Sequence, residues 1–189
     1  AAVVSYAAER DLAIISDEVY AELTYNGDHV SVAGMPAARD RTILVGGFSK
    51  AWAMTGWRLG FAAGPADIIE AMVKVHSYAV MCSPTTAQEA AVEALRHCDD
   101  EVARMRREYN QRRRVIVKRL NDMGLECFEP KGAFYAFPSI ERTGLSSEMF
   151  AERLLAERRV AVVPGTAFGE CGEGFVRCSY ATAMPLIEE

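Results

Sequence analysis

The chain has 189 residues, half of them hydrophobic and a quarter charged, with a net charge of −5. This is globular composition, long enough for one or two compact units, and its acidic balance argues against a surface built for nucleic-acid phosphates. No apolar run nears the ~20 residues of a membrane helix, and the five cysteines show neither a CxxC pair nor metal-like spacing with the three histidines, so a reducing cytoplasm and no metal are expected.

Residues 2–10 carry Val3, Val4, Ala7 and Ala8 at helical spacing, and a helix is expected there. Residues 12–15 are a continuous apolar run, the pattern of a strand buried on both faces of a parallel sheet. Ligands bind at the carboxyl ends of such strands. That end carries Ser16-Asp17-Glu18-Val19-Tyr20, where an Asp-x-x-Tyr spacing turns both side chains to one site if the backbone coils. A polar turn follows at Asn26-Gly27-Asp28.

The next strand is expected at 42–45. It runs into Gly46-Gly47, where the backbone can turn or approach a ligand without a Cβ in the way. Lys50 follows, alone among small and apolar residues. Such surroundings disfavour the ammonium and leave a nucleophilic amine. Arg58 is the next charge, a planar fork suited to an anion such as phosphate. An amine beside an anion clamp suits a Schiff-base site for a phosphorylated aldehyde. A short strand is then expected at 59–63, and a helix to about residue 75 started by Pro65 or Asp67.

A helix is expected from 83, where Thr85 and Gln88 fit a capping box. A long one is expected from Asp99 to Met123, with Val102, Met105, Tyr109, Ile116, Leu120 and Met123 as its apolar stripe. Its basic residues, among them Arg104, Arg112, Arg113, Arg114 and Lys118, read as a solvated face. Strands are expected at 125–128, 132–137, 160–163 and 175–180, and a helix at 147–158. A turn-rich loop, Pro164-Gly165-Thr166-Ala167-Phe168-Gly169, precedes the last strand. Arg177 stands there among apolar neighbours, and an arginine so placed can grip a carboxylate through two parallel hydrogen bonds.

Gly47-Phe48-Ser49-Lys50, followed by Ala53-Met54, Gly56 and Arg58-Leu59-Gly60, resembles the lysine signature of class I/II aminotransferases, pyridoxal-phosphate (PLP) enzymes of fold type I. Ala53-Met54-Thr55-Gly56-Trp57-Arg58 is most similar to the subgroup acting on aspartate, aromatic or related amino acids. Lys131-Gly132-Ala133-Phe134-Tyr135 resembles the family strand whose backbone passes near the substrate, and Arg177-x-Ser179-Tyr180-Ala181 its final arginine motif. The resemblance implies an α/β fold in two parts. Residues 1–98 would be the C-terminal part of the large PLP-binding domain, with a mostly parallel sheet and helices. Residues 99–189 would be an α+β small domain entered through the long helix.

The resemblance also implies roles. Lys50 would hold PLP as a Schiff base, Asp17 would face the pyridine nitrogen, and Tyr20 the phenolic oxygen. Ser49 and Arg58 would bind the phosphate, and Arg177 the substrate α-carboxylate. Gly47 stands where many relatives have a phosphate-binding serine, so Ser49 or backbone N–H groups must supply more of that contact. The implied activity moves an amino group between an L-amino acid and a 2-oxo acid, in a cytoplasmic homodimer without nucleic-acid or membrane partners. The same lysine and aspartate would serve another fold type I PLP enzyme, a C–S lyase or synthase, or a PLP-binding regulatory domain. The resemblance covers only the C-terminal half of family members, so the chain is expected to be a fragment, inactive alone.

Overall fold

The computed structural model describes residues 1–189, in which the chain divides into two units, Ala1–Arg106 and Arg107–Glu189. In the first unit, α1 (Ala2–Glu9) leads into β1 (Ile14–Asp17), which pairs in parallel with β2 (Thr42–Gly47). β3 (Gly60–Ala63) runs antiparallel on the other edge, giving the order β1-β2-β3. A parallel pair needs a crossover. Here it contains three short 3-10 turns, Ala21–Leu23, Val32–Gly34 and Arg39–Arg41.

β1 begins two residues later than its apolar run and ends on Asp17, because pairing with β2 sets its extent. Asp17 sits opposite Val45, and the Glu18 N–H donates to the Val45 carbonyl at 2.8 Å. The expectation of burial on both faces does not hold within this chain: Ile15 is 75% exposed. β2 likewise continues through Gly46-Gly47, which pair with Phe61 and Gly60. A Cβ on Gly46 would meet the Phe61 ring at 2.5 Å. This glycine makes room for an aromatic ring of the neighbouring strand, not for a ligand.

α2 (Ala66–Ala79) runs beyond residue 75, and none of its residues is buried. α3 (Thr85–His97) packs Ala91 and Ala94 against Phe48 and Met54 to make the unit's main cluster. Its expected capping box does not form. The extended Pro84 takes the N-cap position, which makes Thr85 the first helical residue, and Gln88 donates to the Ser83 carbonyl at 2.9 Å instead. α4 (Asp99–Asp122) opens on three acids, favourable at the positive end of a helix dipole. The division between the units falls inside α4.

The second unit holds an antiparallel sheet in the order β4-β6-β5, from β4 (Tyr135–Ala136), β5 (Val163–Pro164) and β6 (Val176–Ser179). The strands expected at 125–128 and 132–137 shrink. Cys127 makes only an isolated bridge to Pro138, and Ala133 has a positive φ of 58°, which breaks an extended ladder. α5 (Ser147–Arg158) is capped by Ser146, whose hydroxyl accepts the Met149 N–H at 3.3 Å. α6 (Met184–Glu188) closes the chain.

The unit's core is Leu120, Cys127, Ala136 and Tyr180. Burial, with the nearby Cys127, pushes the Cys178 thiol up to about 11, so it behaves as a small hydrophobe. One basic residue departs from the expected solvated face: Arg113 is 1% exposed. Its guanidinium donates to the Pro130 carbonyl at 2.8 Å and to Asn110 Oδ1 at 3.0 Å, and it pairs with Glu129. No helix is long and apolar enough to cross a membrane.

Candidate active site

β2 delivers the lysine into a loop that closes on itself before β3. The Phe48 N–H donates to the Leu59 carbonyl at 3.3 Å, and the Met54 N–H returns to the Phe48 carbonyl at 3.2 Å. The Thr55 hydroxyl donates to the Ser49 carbonyl at 2.8 Å, and Arg58 Nη1 to the Thr55 carbonyl at 3.0 Å. Phe48, Ala51 and Met54 are buried and nail one side of the loop to the core. Lys50 and Ser49 between them stay half-buried. Ala53 and Arg58 both have left-handed backbones, φ 53° and 55°. Non-glycine residues held there cost on the order of 1–3 kcal/mol each, and such strain clusters at functional sites.

The parallel register puts the end of β1 beside the end of β2. Asp17 is exposed there, with Oδ1 accepting the Val19 N–H at 3.2 Å. Tyr20 is half-buried at the start of the 3-10 turn Ala21–Leu23. The chain does coil between them, as the Asp-x-x-Tyr spacing requires: the Ala21 N–H bonds the Glu18 carbonyl at 2.9 Å. Because β3 is antiparallel, its start, next to Arg58, returns to this same end of the sheet. The structure thus brings Asp17, Tyr20, Ser49, Lys50 and Arg58 to the carboxyl ends of β1 and β2. Arg58 is exposed and makes no ion pair.

One residue at this end escaped the sequence reading. The Glu18 side chain is only 7% exposed and accepts four hydrogen bonds, from Ser16 Oγ at 2.9 Å, His29 Nε2 at 2.7 Å, Ser31 Oγ at 3.0 Å and Val32 N–H at 3.2 Å. Burial works against its charge, but these hydrogen bonds outweigh it and hold the carboxyl below its ordinary value. The only signal in the sequence was an acid next to Asp17; its partners lie up to 14 residues on, in a polar turn without a pattern.

Arg177 belongs to the second unit. It lies on β6 opposite Val163 of β5, half-buried. Its guanidinium carbon sits 4.4 Å from the centre of the Tyr135 ring and 4.7 Å from that of Phe168.

The donor set in the first unit suits PLP by its chemistry. An amine, a carboxylate, a phenol, a hydroxyl and an unpaired guanidinium match an aldehyde, a pyridine nitrogen, a phenolic oxygen and a phosphate.

The chain belongs to the aminotransferase class I and II family, which it matches over residues 1–186. Members of this family are PLP-dependent, and the α/β arrangement is part of their fold type I architecture. Among its relatives is an aspartate aminotransferase of Pyrococcus abyssi, 53% identical over 99% of this chain and 49% of its own length. An aromatic-amino-acid aminotransferase of Thermococcus litoralis is 51% identical over 99% of this chain and 49% of its own. The crystal structure of an aromatic aminotransferase from Pyrococcus horikoshii superposes with a TM-score of 0.96 at 52% identity, over 99% of this chain and 51% of that one. The chain spans about half the length of the relatives it matches.

Proposed function

We propose that this chain supplies the lysine side of a PLP-dependent aminotransferase that moves an amino group between an L-amino acid, of the aspartate or aromatic class, and a 2-oxo acid. The observation that carries the reading is the gathering of Lys50, Asp17, Tyr20, Ser49 and Arg58 at one end of the sheet, in a chain of this family. When bound, PLP supplies the electron sink that makes a substrate Cα proton acidic. Lys50 would hold the cofactor aldehyde at rest; once the substrate amine has displaced it, its freed Nζ would take the Cα proton and hand it back on the cofactor side. Asp17 would face the pyridine nitrogen and favour its protonated form, and Tyr20 would donate to the phenolic oxygen. Arg58 and Ser49 hold the phosphate, with the self-bonded loop fixing both relative to Lys50. Arg177 receives the α-carboxylate. The remainder of the pocket, and a second subunit completing it, belong to the same proposal.

Borohydride reduction of the full-length protein loaded with PLP, followed by peptide mapping, tests this. The phosphopyridoxyl label is expected on Lys50, and Lys50→Ala should lose both the label and keto-acid-dependent turnover. A label on another lysine, or turnover by the variant, overturns the assignment.

A further inference from the structure

An arginine that must receive a carboxylate has to be held in place without being neutralised. An acid beside it would orient the guanidinium and also compete with the substrate for its N–H donors. Within this chain no carboxylate lies within ion-pair distance of Arg177. Instead its guanidinium lies over the faces of Tyr135 and Phe168. A ring face attracts the cation through its quadrupole and takes none of the five N–H donors at the guanidinium edge.

The two rings are themselves fixed. Phe168 meets Phe137 edge-on at 5.9 Å, and Phe137 stacks on Phe175 at 5.6 Å. Phe134 lies 4.9 Å from Tyr135. Phe168 ends a 3-10 turn, Gly165–Phe168, that approaches the next turn backbone to backbone. A Cβ on Gly165 would lie 1.9 Å from the Gly172 carbonyl oxygen, so only glycine allows this packing. Phe168 nevertheless remains 50% exposed.

We propose that Phe168 and Tyr135 are positioning residues for the substrate: their ring faces orient the Arg177 guanidinium and leave its N–H edge open to the α-carboxylate. The proposal rests on the reading of Arg177 as the carboxylate site. It goes beyond that reading by assigning the orientation to aromatic faces, which give the arginine no counter-charge.

The test uses the full-length holoenzyme with aspartate and phenylalanine as amino donors and 2-oxoglutarate as acceptor. Phe168→Leu keeps apolar bulk and removes the ring face. It should raise KM for both donors by about tenfold, the scale of a partly desolvated cation–π contact, while PLP affinity and the thermal midpoint stay unchanged. Tyr135→Leu should act in the same direction. Phe168→Tyr and Tyr135→Phe, which keep a ring, should retain the parent KM. Arg177→Lys separates the two levels of the argument. If it raises KM while both leucine variants leave KM unchanged, the aromatic positioning is wrong and the carboxylate site stands. If Arg177→Lys itself leaves KM unchanged, the carboxylate site is wrong and the proposal goes with it. A leucine variant that loses thermal stability without a KM change also overturns the proposal, because that is the signature of packing alone.

Discussion

Two neighbouring carboxylates at the end of β1 have opposite environments. Asp17 is exposed, with one oxygen engaged by a backbone N–H, whereas Glu18 is enclosed by two hydroxyls, an imidazole and an amide. Glu18 ties the end of β1 to residues 29–32, and so fixes the backbone from which Asp17 and Tyr20 project. Its folded pKa lies below the ordinary 4.5. A depressed carboxyl contributes stability that is fully present above its unfolded value and is lost as pH falls through its folded value. In the full-length protein, Glu18→Gln should therefore lower the thermal midpoint near neutral pH. The gap to the parent should narrow once pH drops below about 4.5. Thermal melts of both proteins across this range check it; a gap that stays constant to the acid limit would remove the buried charge from the account.

At the scale of elements, α4 shows what a helical pattern conveys and what it hides. Its extent and most of its apolar stripe were legible: Val102 and Leu120 are buried at the expected period, whereas Met123 lies just past the helix end and is 63% exposed. Arg113 was not, because a run of arginines looks uniform until the partner loop is known. The loop 129–130 supplies an acid and a carbonyl that make burying one guanidinium favourable. Losing the Arg113 guanidinium removes hydrogen bonds from a charged donor, worth about 1.5–3 kcal/mol each, and leaves a gap in the packing, while exposed charges change stability by about 0.5 kcal/mol or less. Arg113→Ala should accordingly cost about 3 kcal/mol in denaturant unfolding of the full-length protein, and the exposed Arg114→Ala should be near neutral. Equal effects would mean that the Arg113 contacts contribute nothing. The same contrast separates the strands. β1 and β2 were readable as apolar runs, and their ends were not, because pairing rather than composition ends a strand. In the second unit, Ala133 at positive φ interrupts the expected strand, and only Tyr135–Ala136 remains as β4. Of the residues gathered at the first sheet, Lys50 and Arg58 were legible as lone charges in apolar sequence and Asp17 as the end of an apolar run; Ser49 carried no marker beyond the family resemblance, and Tyr20 only its spacing from Asp17. Glu18 and the rings around Arg177 carry no such marker; their part depends on residues brought together only by folding.

The whole chain carries more surface than a self-sufficient protein of its size. It exposes 12481 Å². A folded monomer of 20.8 kDa exposes about 9,000 Å², and even two independent domains of half that mass would together expose about 11,000 Å². The surplus is therefore not explained by division into two units. Much of it is apolar and concentrated in the first unit: α2 buries none of its residues, Tyr78 near its end is 96% exposed, and Ile15 stands open on β1. Exposed apolar side chains concentrated in this way mark surfaces that normally meet other protein. They lie in a chain that spans about half the length of its relatives. The 189-residue chain by itself should bind an apolar reporter dye strongly, associate as its concentration rises, and fail to transaminate when given PLP, aspartate and 2-oxoglutarate. The full-length protein should bind little dye and turn over. Light scattering, dye fluorescence and a coupled keto-acid assay on the two samples decide it. A monodisperse, dye-free 189-residue monomer would show that these faces need no cover, and turnover by that monomer would show that the site at the ends of β1 and β2 is complete within this chain.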